Sequence, residues 1–246
     1  MHIQLCGHIA LLIDGQRRER ELPGRQGREL LVLLVLRRER AVSREHLTGL
    51  LWPSGAPPAA DAGLSALLSK LRRIVGPELL VGRSEPHLVL PPDCFVDFEA
   101  AGEAAHRAES AVAAAHWTDA WGPARVALHT ASRGLLPGHE AAWIEEERRA
   151  LEDIHMRALE CVAATGLGLG GAELASAERA GRALVASWPF HESGYRVLID
   201  ALDARGNVAE ALVLYEQLRH LLRDELGIAP SAQLQEHHKQ LLLKRS

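Results

Sequence analysis

A chain of 246 residues, 47% hydrophobic and with a net charge of −4, can bury one large core or two modest ones, and it is too acidic to coat nucleic acid indiscriminately. The charge is uneven. Residues 1–97 carry 13 Lys/Arg against 11 Asp/Glu, and residues 98–246 carry 15 against 21, as suits a DNA reader joined to a part that stays off DNA. Cys6, Cys94 and Cys161 form no CxxC pair and no disulfide framework, so a reducing cytoplasm is the simplest setting. Met1 to Gly15 lacks the basic start and cleavage pattern of a signal peptide. The longest apolar run, Leu30 to Leu36, is far short of the ~20 residues that span a bilayer. The expected location is cytoplasmic and nucleoid-associated, with no membrane partner.

Taken in order, residues 2–14 (HIQLCGHIALLID) predict short strands, with a hairpin closing near Asp14-Gly15. Residues 27–40 (GRELLVLLVLRRER) fit a buried strand or a buried helix. Leucine outnumbers β-branched residues and Arg37, Arg38 and Arg40 stand at the end, which favours helix. Ser43 then caps a second helix carrying Leu47, Leu50, Leu51 and Trp52, and the Pro53–Pro58 stretch breaks the chain.

The third helix, Ala59 to Gly76, organises this half. Leu64, Leu68, Leu71 and Val75 make one apolar stripe, while Ser65, Ser69, Lys70, Arg72 and Arg73 take the other face, with Asp61 as a possible cap. That pattern fits a helix with its back on a small core and its front in a major groove. It also fits a solvated amphipathic helix with a basic end. Residues 79–97 predict two short strands around a polar turn carrying Arg83. Strands, three helices and a hairpin are the layout of a winged helix, whose third helix enters the major groove while the hairpin touches the backbone nearby.

From Asp97, a plausible N-cap, the pattern turns helical: 98–117, 117–135, 141–166, 174–187, 191–205, 208–226, and a last helix capped by Ser231 and running to about Lys244. Glycine-led helix starts recur at 170–177 and 206–212, 36 residues apart and close to the ~34-residue tetratricopeptide period. The expectation is a mainly α protein. An N-terminal α+β winged-helix domain (1–97) is followed by an all-α, tetratricopeptide-like helical-repeat domain (98–246).

Other chemistries find little support. Gly166 to Gly171 spells G-x-G-x-x-G but follows a helix rather than a strand, and reads as an interhelix turn. No P-loop, H-E-x-x-H or G-x-S-x-G occurs. His237 and His238 are adjacent and so do not share a helix face, and Glu145 to Arg149 reads as a solvated face. No enzyme, cofactor or metal is expected.

The segments RELLVLLVLRRERAVSREHLTGLLWP and LSALLSKLRRIVG, then the hairpin, resemble OmpR-type winged-helix DNA-binding domains, although the turn Gly82 to His87 lacks the Gly-Tyr half common among them. Asp97-Phe98, Trp143 before EEERRALED, and the stretch WPFHESGYRVLIDALDARGNVAEALVLYEQLRHLLRDELGIAPS (188–231) resemble the bacterial transcriptional activator domain. Together they resemble the Streptomyces antibiotic regulatory protein (SARP) family. The resemblance implies an activator that binds direct repeats in double-stranded DNA near a promoter and recruits RNA polymerase holoenzyme, as a homodimer or oligomer at least on DNA, at an antibiotic gene cluster. Arg44, Ser65, Ser69, Lys70, Arg72, Arg73 and Arg83 are the expected DNA-binding residues. A helical-repeat adaptor whose winged helix does not bind DNA is the alternative.

Overall fold

The computed structural model describes residues 1–53 and 55–243. Ser54 of the Pro-rich break and Lys244, the expected end of the last helix, lie outside them. The chain divides into two compact units, Met1–Ala100 with Arg133–Leu151, and Ala101–Ser132 with Glu152–Ser246. Residues 133–151 thus group with the N-terminal elements, on the far side of the boundary read at residue 97.

The first unit opens with a four-stranded sheet in the order β3 (Gln16–Arg17), β2 (Ala10–Ile13), β1 (His2–Gln4) and β6 (Phe95–Val96). Strand β1 (His2–Gln4) pairs antiparallel with β2 (Ala10–Ile13), and β2 with β3 (Gln16–Arg17). Asp14 and Gly15 both have positive φ, 49° and 76°, as a two-residue type I′ turn requires. Strand β6 (Phe95–Val96) was not expected. It lies parallel to β1, His2 opposite Phe95, and is too short to show an alternation. Helix α1 (Gly24–Leu36) starts earlier and ends sooner than predicted, leaving Arg37, Arg38 and Arg40 beyond its C-terminus. All of Glu29 to Val35 is buried, which is why the run shows no period.

Helix α2 (Arg44–Leu51) is capped as expected, with Ser43 Oγ accepting the His46 N–H at 3.2 Å. Helix α3 (Ala60–Val75) buries Leu64, Leu68, Leu71, Ile74 and Val75. Its start has no side-chain cap, so Asp61 does not serve as one. Strands β4 (Leu80–Val81) and β5 (His87–Leu88) form the hairpin.

Three charged residues, Asp97, Arg148 and Glu29, make further contacts in this unit. Asp97 is no simple cap. It sits in the first turn of α4 (Asp97–Ala113), 3% exposed, and accepts the backbone N–H of Leu5 at 2.6 Å and of Cys6 at 3.2 Å, with Arg133 Nη2 at 3.2 Å. Arg148 is no solvated residue either. It donates to the carbonyls of Leu135, Leu136 and His139 at 2.7–2.9 Å and so fixes the loop that precedes its helix. On α1, buried Glu29 meets His139 at 2.8 Å and Arg25 at 2.9 Å.

The second unit is helical: the remainder of α4, then α5 (Trp117–Ala131), α6 (Ala142–Leu169, its first turns in the first unit), α7 (Leu174–Ser187), α8 (Glu192–Ala204), α9 (Val208–Leu226) and α10 (Ala232–Leu243). Helices α4 and α5 stop four residues before the ends read from sequence. Gly166 and Gly168 lie inside α6 rather than in a turn, and glycine is needed there because a side chain would run into Glu173 O or the Trp117 ring. Helices α7 and α8 touch through glycines: an ideal Cβ on Gly181 would stand 2.8 Å from Leu198 Cβ, and one on Gly194 2.9 Å from Leu184 Cβ.

Leu159, Val162, Ala180 and Leu184 centre one core of this unit, and Leu198, Leu202, Leu218, Leu222 and Leu234 the other. Arg157 reaches Glu109 through two bonds of 2.6 Å. The two histidines of α10 fasten it: His238 stacks on Tyr215 at 3.9 Å and His237 meets Asp200 at 3.1 Å. Among the described residues, no helix is long and apolar enough to cross a membrane. Cys6 and Cys161 are buried, and burial is the main cause that pushes each thiol up to about 12, while Cys94 is half-buried.

Candidate functional site

Since α3 turns its leucines inward, the positions between them form an open stripe: Asp61, Ser65, Ser69, Lys70 and Arg73, with Ala62 and Ala66 leaving room between them. Lys70 and Arg73 make no hydrogen bond or ion pair with any described residue, nor does Arg83 in the exposed hairpin turn. These three cations are open to a partner.

Arg72 is not. From the margin of the stripe its Nε donates to Leu80 O at 3.0 Å and its Nη2 to Gly82 O at 2.6 Å. It fastens the hairpin to α3, so Arg72→Ala would loosen the hairpin as well as remove a cation. Gly82 has φ +79°, and a Cβ there would collide with Glu85 O, so the turn depends on glycine.

Arg44 is also engaged. Its Nε and Nη2 lie 3.0 and 2.7 Å from Asp61 Oδ1, and Nη2 reaches Asp61 O at 3.2 Å and Ser65 Oγ at 2.6 Å. Its backbone N–H donates to Ser84 O at 3.3 Å. Two of the amides at the α2 N-terminus are therefore met within the unit, by the hairpin and by Ser43, rather than left for an anion. The stripe, the second helix and the hairpin are joined in a closed circuit of polar contacts. Asp61 was missed as a member of this group. Its i, i+4 spacing to Ser65 places it on the stripe, but nothing in the sequence links it to Arg44, 17 residues away.

Beside the α2 N-terminus lies an open cavity of about 770 Å³ lined by Arg37, Arg40, Ser43, His46, Glu85 and Glu147. Burial raises the Glu147 carboxyl above its ordinary range, against the pull of Arg37. Among the described residues, no three His, Cys, Asp or Glu side chains converge as metal ligands would.

Residues 96–242 match the family described as the bacterial transcriptional activator domain. Among curated relatives, the regulatory protein AfsR of Streptomyces coelicolor is 32% identical over 218 residues, which cover 88% of this chain and 22% of AfsR. The regulatory protein DnrI of Streptomyces peucetius is 29% identical over 86% of this chain and 81% of its own. The transcriptional regulatory protein EmbR of Mycobacterium tuberculosis is 26% identical over 97% of this chain and 62% of its own. The chain thus spans about a fifth of the AfsR relatives. A solved structure of M. tuberculosis EmbR, in complex with a low affinity phosphopeptide, shares the fold with a TM-score of 0.84 and 22% identity over 99% of this chain and 65% of that one. The chain belongs to the bacterial transcriptional activator domain family, and it is similar to SARP-type regulators.

Proposed function

We propose that the chain is a transcriptional activator whose N-terminal part, residues 1–97, is an OmpR-type winged helix that binds double-stranded DNA at direct repeats. In this reading residues 98–246 are the helical-repeat domain that joins subunits on DNA and recruits RNA polymerase holoenzyme, at an antibiotic gene cluster. The observation that carries it is the open stripe of α3, where Lys70 and Arg73 stand unpaired beside small residues that let a helix approach the groove floor. Ser65 and Ser69 face the same way, and Arg83 stands exposed in the hairpin turn. In this reading Arg44 meets phosphate through its side chain, and Arg72 contributes by holding the hairpin to α3.

The test is selection of a random-sequence duplex library by the wild-type chain, followed by affinity measurements on the enriched duplex across a salt series. Lys70→Ala and Arg73→Ala are each expected to weaken binding, by up to ~1–3 kcal/mol where the side chain reads a base. Where the side chain meets phosphate instead, its removal would flatten the salt dependence by ~0.9 in log–log slope. Enrichment of no sequence, or affinities untouched by both substitutions, would overturn the proposal.

A further inference from the structure

The open stripe of α3 carries one anion among its cations. Asp61 is 81% exposed, while the Arg44 that it binds is 26% exposed. An acid at this place opposes DNA phosphate, yet its carboxylate is turned onto Arg44 and not toward Lys70 or Arg73. We infer that Asp61 sets specificity by acting as an internal counter-ion for Arg44, one that DNA phosphate must displace. The inference rests on the DNA-binding reading above.

The donor geometry supports the exchange. Arginine offers five N–H groups in a rigid fork. On Arg44 the Nε and Nη2 edge, the edge suited to bidentate binding of an oxyanion, is spent on Asp61 and Ser65, and Nη1 has no described partner. The Arg44 backbone is anchored by its bond to Ser84 O and by the neighbouring Ser43 cap, so the guanidinium works from a fixed base. Asp61 is the loose end. It can swing into water while Arg44 stays in place and takes a phosphate. An ion pair this exposed is weak and readily exchanged.

The consequence is selective. A duplex that offers only phosphates meets a neutral Arg44–Asp61 pair and gains little from it. A duplex in register, already held by Lys70 and Arg73, presents a phosphate to the fork long enough for the swap. Asp61 therefore lowers affinity for every sequence, and most for the wrong ones.

The experiment measures fluorescence anisotropy across a sodium chloride series for wild type, Asp61→Asn, Arg44→Gln and the double variant. Each is titrated with a duplex enriched by wild type and with its scrambled counterpart. Asp61→Asn is expected to tighten binding to the scrambled duplex about two- to fivefold, the worth of an exposed ion pair. It should narrow the ratio between the two duplexes and steepen the log–log salt slope by ~0.9, one additional phosphate. With Arg44→Gln in place, the same change should lose most of its effect. A gain equally large without Arg44, or an unchanged salt slope, overturns the inference while leaving DNA binding intact. A folded wild type that binds neither duplex in a salt-dependent way overturns the DNA-binding reading, and the inference with it.

Discussion

Arg72 and Lys70 stand two residues apart on α3 and do different work. Both Arg72 bonds end on hairpin carbonyls, so truncation removes two charge-assisted bonds and frees the hairpin. Arg72→Ala is expected to cost roughly 1–3 kcal/mol in urea unfolding, against about ±0.5 for Lys70→Ala. Equal stabilities would show that the hairpin holds itself. Asp97 makes a prediction in pH. Burial raises its folded carboxyl above the ordinary 3.8, outweighing the Leu5 and Cys6 amides and Arg133. The folded state therefore binds this proton more tightly than the unfolded one. The group's contribution is fully present below the unfolded pKa and is lost as pH rises through the folded pKa. Relative to Asp97→Asn, wild type should lose unfolding free energy between about pH 3 and the upper end of its titration, and an increase across that range would contradict the sign. Neither role could be read from the chain. The apolar spacing that sets α3 inward is local, whereas the partners of Arg72 lie 8 and 10 residues away and those of Asp97 36, 91 and 92.

Helices were legible where punctuation was strong. Trp188-Pro189, Gly206-Asn207 and the Gly227–Pro230 break bound α7, α8 and α9 within a residue of expectation, because glycine and proline act on the backbone directly. Where packing decides, sequence was a poorer guide. Gly166 and Gly168 spell a turn but lie in α6, and they are glycine because Trp117 and Glu173 take the space a side chain would fill. The α7–α8 crossing follows the same logic. Gly181→Ala and Gly194→Ala should each destabilise by about 1–3 kcal/mol, as added methyl groups in a tight crossing do. Gly122→Ala, in α5 with nothing within 4 Å of the new methyl, should be neutral or stabilise by up to ~1 kcal/mol. Thermal unfolding of the three variants checks this, and a stabilised Gly181→Ala would mean that the helices have room to part.

Across the whole molecule, the matched stretch is 22% of AfsR and 81% of DnrI, so sequence similar to this chain recurs in relatives of very different length. The order of elements was open to reading from end to end, apart from β6, while the grouping of residues 133–151 with the N-terminal elements was not. That grouping depends on His139 meeting Glu29, on Arg133 meeting Asp97 and on a bridge between Cys6 and Leu135, which join points far apart in the chain. The three cysteines carry a practical consequence. With Cys6 and Cys161 buried, Cys94 is the one partly open sulfhydryl, next in the chain to Phe95, whose ring lies 4.4 Å from that of His2. The folded chain thus comes with a single native attachment point for a fluorophore or spin label, placed where β6 closes the sheet, and needs no engineered cysteine to report from there.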